Sequence, residues 1–170
     1  EHKKNNPWSY LNIFNPEGEK SKSKNDIFLE AKKQFDLMKE KSVLKKDDTN
    51  SFYIYKITTQ GHAQVGIIGT AKLSAYDNLH IRGHEEIYLE RSQSRFNQIN
   101  NLNAQIGPIY VIYPDNEELA KLIKEHIKLK PVYSFDALDN CKHELWIINE
   151  KNTVLKISEI FNTINRIYIA

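Results

Sequence analysis

Ser51-Phe-Tyr-Ile-Tyr-Lys-Ile57 and Gln64-Val-Gly-Ile-Ile-Gly-Thr-Ala-Lys-Leu73, with Gly61 between them, decide how this chain is read. Both runs are rich in β-branched and aromatic residues, which suit a pleated, half-buried surface, and the glycine marks a tight connection. They predict an antiparallel β-hairpin. On its N-terminal side, Ile27, Ala31, Phe35 and Met38 recur at helical spacing, with Asn25 or Asp26 available as N-cap, which predicts a helix to about Lys41. Before it lie a polar loop near residues 18–25, expected to be mobile, and residues 7–16, whose apolar side chains between two prolines read as a short extended segment.

On the C-terminal side, a short strand is expected at 79–82, then a polar helix over 86–103 that turns Phe96, Ile99 and Leu102 inward. Ile109-Tyr-Val-Ile-Tyr113 is a continuous apolar run, as expected of a central strand covered on both faces. Leu119, Leu122, Ile123 and Ile127 mark the next helix, entered through Pro114-Asp115 and unable to continue through Pro131. Strands at 132–135 and 144–148 follow. Thr153 is placed to cap a last helix whose Val154, Ile157, Ile160, Phe161 and Ile164 face a core, before a terminal strand over 166–170. The expected class is α/β (α+β): a mixed sheet with about four helices packed against it, including the antiparallel hairpin.

At 170 residues with 40% hydrophobic content, one α/β domain is the default reading. The 24 basic and 22 acidic residues are interspersed and leave +2, a field too weak to point to nucleic acid. One cysteine, Cys141, allows no internal disulfide, and a reducing cytoplasm fits that usage. No apolar stretch approaches the roughly 20 residues that span a bilayer, so no membrane partner is expected. The chain lacks an initiating Met and stops on a strand, at the position where α/β proteins place ligand-binding loops. It therefore reads as the N-terminal portion of a longer protein.

The densest polar segment is Arg82-Gly-His-Glu-Glu86, where a strand meets a helix. His84 is a candidate general base or phosphate contact, since imidazole titrates near neutrality, and Glu85 is a candidate to hold its tautomer or to bind a metal ion. Arg95 on the following helix is a candidate anion contact through its planar fork, with Arg91 beside it and Asn103 as a further ligand candidate. The competing reading makes His84 and Glu85 helix caps and Asn103 a C-cap. Gly61-His-Ala-Gln-Val-Gly66 lies between two strands rather than before a helix, so it reads as a hairpin turn and not as a phosphate loop. Tyr53, Tyr55, Tyr110 and Tyr113 read as core-edge residues, although tyrosines so arranged also line base-stacking surfaces. Trp146 is expected in the core with its indole N–H satisfied. Cys141 has no evident activating base, no metal-ligand spacing is present, and the Gly-x-Ser-x-Gly, Walker and His-Glu-x-x-His patterns are absent.

Several segments in order resemble the bacterial and archaeal family catalogued as domain of unknown function 1015. These are Asn6-Pro-Trp-Ser-Tyr-Leu11, Ser51-Phe-Tyr-Ile-Tyr55, Gly61-His-Ala-Gln-Val-Gly66, His84-Glu85, Asn103-Ala-Gln-Ile-Gly-Pro108, Tyr113-Pro-Asp-Asn116, Glu144-Leu-Trp-Ile147 and Ile167-Tyr-Ile-Ala170. The resemblance implies that the terminal strand leads into the family's Asp-Gly-His-His-Arg motif. That motif is similar to one in the ParB and sulfiredoxin-like group, which includes kinases of free serine. By that analogy the full-length protein binds ADP or ATP with Mg and transfers a phosphoryl group. The family's usual His-Glu-x-Thr is altered here, where Ile87 stands for the threonine. The resemblance also leaves open a non-catalytic module that engages a protein partner or a second copy of itself.

Overall fold

The computed structural model of the chain describes residues 6–14, 24–83 and 89–170, with the side chains of all but 24, 25 and 89–91. These residues fall into two compact units, one drawn from residues 1–46 and 84–110, the other from 47–83 and 111–170. Together they carry mixed α/β content, with two separate sheets where the sequence suggested one.

The first unit is helical. It contains α1 (Leu11–Phe14), α2 (Lys24–Glu40) and α4 (Leu89–Leu102). Ala31 and Met38 of α2 are buried with Ile13, Leu102 and Ile106, and Phe35, Leu44 and Ala104 pack on this cluster. Two expectations change here. Residues 11–14 form one helical turn, not an extended segment, and the Tyr10 hydroxyl ties its entry to the Ile106 carbonyl at 2.7 Å. On α4, Phe96 is 62% exposed, and the face that turns inward carries Gln98, only 5% exposed. Helix α2 begins at Lys24, so Asn25 and Asp26 lie in its first turn rather than at a cap; residues 18–23 of the expected loop lie outside the described residues.

The second unit is built on a four-stranded antiparallel sheet in the order β2-β1-β6-β5, from β1 (Phe52–Thr59), β2 (His62–Ile68), β5 (Tyr133–Asp136) and β6 (Lys142–Ile148). The hairpin pairs Thr59 with His62, leaving Gln60 and Gly61 as a two-residue loop, both with positive φ (48° and 79°). That is the turn whose twist matches the strands, and it favours glycine at its second position. Gly61→Val is expected to cost about 1 kcal/mol or more, because a β-branched side chain strains at positive φ. A urea melt that shows no loss of midpoint would contradict it.

Strand alternation separates the two faces of this sheet. Phe52, Ile54, Ile67, Trp146 and Ile148 meet Leu119, Leu122 and Ile123 of α5 (Glu117–His126) and Ile157, Ile160 and Phe161 of α6 (Lys151–Thr163). The Asn116 side chain caps α5 by accepting from Leu119 N at 2.9 Å. Helix α6 is capped by Glu150, whose carboxylate accepts from the backbone N–H of Asn152 and Thr153, and not by Thr153 as its sequence suggested. A carboxylate at the positive end of a helix is favoured over a hydroxyl.

Lys56 and Glu144 are cross-strand partners, and Lys56 Nζ lies 3.0 Å from the Glu144 carboxylate, with Lys142 Nζ at 3.5 Å. The Lys56 hydrogen bond, aided by Lys142, holds the Glu144 carboxyl below its ordinary range despite partial burial. A depressed folded pKa stabilises the fold above the unfolded value, about 4.3, and that contribution disappears as pH falls through the folded value. Melting temperature is therefore expected to drop on acidification below about pH 5, and less steeply in Glu144→Gln. Equal slopes for the two proteins would contradict the assignment.

A second, three-stranded sheet in the same unit has the order β3-β7-β4, from β3 (Ile81–Arg82), β7 (Ile167–Ile169) and β4 (Val111–Ile112). The 109–113 run is thus not a central, doubly covered strand. Val111 and Ile112 pair with β7 at the sheet's margin, and Ile109, Tyr110 and Ile112 are exposed. The central strand is the terminal one. It runs parallel to β3, with Ile167 N donating to His80 O at 2.8 Å, and antiparallel to β4.

Candidate functional site

Two parallel neighbours end at the same margin of a sheet, and in α/β folds that carboxyl edge is where ligands settle. Strand β3 ends at Arg82 and β7 at Ile169, with Arg82 opposite Tyr168. Arg82 Nε is buried and has no hydrogen-bond partner among the described residues. A buried donor left without an acceptor costs about 1–3 kcal/mol, more when it belongs to a charged group. Gly83 follows directly, and the Tyr76 hydroxyl of α3 (Leu73–Asp77) comes so close that a Cβ on residue 83 would lie 2.9 Å from it. Arg82, Gly83 and the Tyr76 hydroxyl therefore meet at the end of β3.

His84 and Glu85, the candidate base and its partner, lie outside the described residues, as does the Arg91 side chain, although the Arg91 backbone belongs to α4. Arg95 is in the helical unit. Its guanidinium packs over the Phe14 ring, 5.0 Å from the centroid, and Nη1 donates to Gln98 Oε1 at 2.8 Å. The Gln98 amide in turn donates to the carbonyls of Ile13 and Phe14, both at 2.9 Å, which satisfies the C-terminal end of α1. Arg95 thus has a fixed orientation and a structural task. Asn103 is exposed and sits just after α4 with φ 50°, the left-handed conformation of a helix C-terminus that asparagine tolerates.

Sequence reasoning quoted Arg82 only as the start of a polar segment and did not single it out. Its signal is the parallel partner from the far end of the chain, which no local pattern carries. Among the described residues no three His, Cys, Asp or Glu side chains gather as a metal-binding group. No helix among them is long and apolar enough to cross a membrane. Trp146 is buried as expected, with Nε1 donating to Leu129 O at 2.8 Å.

No curated protein and no solved structure matches this sequence. The family model described as protein of unknown function (DUF1015) matches residues 1–170, which is the family that the segments from Asn6 to Ala170 resemble, and the chain belongs to it.

Proposed function

We propose that the protein binds a small phosphorylated ligand of the nucleotide class at the carboxyl edge of β3 and β7, with Arg82 as an anion contact. His84 follows in sequence as the candidate base and Glu85 as its partner; Arg91, Arg95 and Asn103 are ligand candidates of the helical unit taken by itself, not of this edge. The observation that supports this reading is the buried Arg82 Nε, without a partner among the described residues, since an anionic oxygen is the acceptor a guanidinium N–H pairs with most strongly. Phosphoryl transfer rests on analogy alone.

The test is calorimetric titration of ADP and ATP into the intact protein and into Arg82→Met, which keeps the apolar stem and removes the fork. Affinity is expected to fall at least about tenfold, as for loss of one charge-assisted hydrogen bond, with the melting temperature retained. Equal affinity in the variant would end this reading.

The exposed aromatic side chains of β5, Tyr133 and Phe135, support a second reading as a non-catalytic module that engages a protein partner or a second copy. Among the described residues strand β5 pairs with β6 alone, at the margin of its sheet. Light scattering that gives a monomer mass across concentrations, together with nucleotide binding, would count against it.

A further inference from the structure

On the face of the four-stranded sheet turned away from α5 and α6, three rings stack across three adjacent strands. His143 of β6 lies between Tyr55 of β1, at 5.9 Å between centroids and 23° between planes, and Phe135 of β5, at 5.1 Å and 17°. The Tyr55 hydroxyl and His143 Nδ1 share a hydrogen bond of 2.5 Å, and Asp139 Oδ1 is 4.0 Å from His143 Nε2. The Tyr55 hydrogen bond therefore holds the middle ring of the ladder in orientation at Nδ1.

The next strand continues this row with Gly66, which is the direct cross-strand partner of Tyr55. Gly66 has no backbone reason to be glycine. Its φ is not in the left-handed range, and the β1–β2 register runs unbroken from Tyr53↔Ile68 to Thr59↔His62, without a bulge. It has no packing reason either, since a Cβ there would meet nothing within 4 Å. Glycine inside a strand weakens it, and besides bends and crowding the features it often marks are close approach of a ligand or of another backbone. The residue is exposed, and on its face the neighbours along β2 are Gln64 and Ile68, about 7 Å away on either side by strand geometry.

We infer that the place beside Tyr55 and above Gly66 is a binding slot for a planar heteroaromatic ring of the nucleobase type, which stacks on the Tyr55 face opposite His143 and extends the ladder by one ring. A slot one side chain wide admits a flat ring edge-on between Gln64 and Ile68. Base–aromatic stacking is tolerant of base identity, because every base offers a π-face. This slot lies on a different sheet from the Arg82 edge, and the inference goes beyond the anion contact proposed there.

Adenosine, which carries a base and no phosphate, is the probe, titrated into the intact protein and followed by NMR. Saturable shifts of the Gly66 amide and the Tyr55 ring signals are expected, and ribose 5-phosphate should leave both unmoved. Gly66→Val fills the slot with a side chain suited to strands, so the melting temperature should hold or rise while adenosine affinity falls about tenfold or more, the size of one lost stacking contact. Tyr55→Leu, which removes the ring and keeps the strand, should lose affinity to the same extent. The inference is overturned if millimolar adenosine moves neither signal, if ribose 5-phosphate moves both equally, or if Gly66→Val and Tyr55→Leu bind adenosine as the wild type does. Because adenosine has no phosphate, failure of the Arg82 reading would leave these results unchanged.

Discussion

Trp146→Ala is expected to destabilise the protein by about 3–5 kcal/mol, the largest effect of any single truncation we anticipate. Trp146 is 3% exposed and belongs to the cluster formed by Ile54, Leu119, Ile148, Ile157 and Ile160, where the sheet meets α5 and α6. Removing the indole deletes packing against both layers and leaves a cavity the surrounding strands cannot close. It also deletes the hydrogen bond from Nε1 to the Leu129 carbonyl. Magnitudes separate the two contributions. Leu129 is exposed, so water can reach its carbonyl, and Trp146→Phe, which keeps most of the ring packing, should cost nearer 1–2 kcal/mol. A urea midpoint lowered equally by the two substitutions would mean that the hydrogen bond, not the packing, sets the value of this residue.

The second large effect is expected at Gln98. Gln98→Leu conserves approximate volume but removes the donor that serves the Ile13 and Phe14 carbonyls and the acceptor that holds Arg95. Ile13 is fully buried, so its carbonyl has no ready substitute partner, and a loss of about 2–3 kcal/mol follows. Gln98→Glu distinguishes the two roles. A carboxylate still accepts from Arg95 and strengthens that contact, yet it offers the carbonyls no N–H. If the carbonyl clamp matters most, Gln98→Glu melts early and amides of α1 and α4 exchange faster; if it melts with the wild type, Arg95 is the essential partner.

Much of this fold is legible in the sequence because its long elements carry strong local patterns. The hairpin of β1 and β2, the amphipathic faces of α2, α5 and α6, and the strands β5, β6 and β7 all follow from alternation or helical spacing. Short elements do not carry such patterns. Four residues of α1 are too few to show a helical period, and so are the five of α3, where the expected second strand runs on to Leu73 and 74–78 carry no assignment. Gln98 escapes detection because a glutamine is ordinarily solvated, and only the position of two backbone carbonyls makes it an interior residue. The Ile109-Tyr-Val-Ile-Tyr113 run misleads for the converse reason: apolar composition signals burial, but pairing with β7 extends over just two of its residues. Two of the junctions between the units do coincide with local punctuation, the switch from Lys45-Lys46 to Asp47-Asp48 and Gly83, but such marks are too common along the chain to signal two interleaved units by themselves.

The candidate site was legible only in part. The polar segment after β3 stands out because glycine, histidine and paired carboxylates rarely cluster by chance at a strand end. The value of Arg82 depends on β7 lying parallel beside it, a long-range pairing that no window of residues reveals.

The chain has four arginines, 82, 91, 95 and 166, so their Nε–H groups give few enough NMR signals to follow individually. Adding ADP to the intact protein and tracking the Arg82 Nε–H resonance, assigned by its loss in Arg82→Lys, tests the central claim most directly. A saturable downfield shift of that resonance is the result expected if an anionic oxygen becomes its partner. A resonance that stays in place while ADP is bound, or in the presence of millimolar ADP that does not bind, would contradict the assignment of this edge as the anion site.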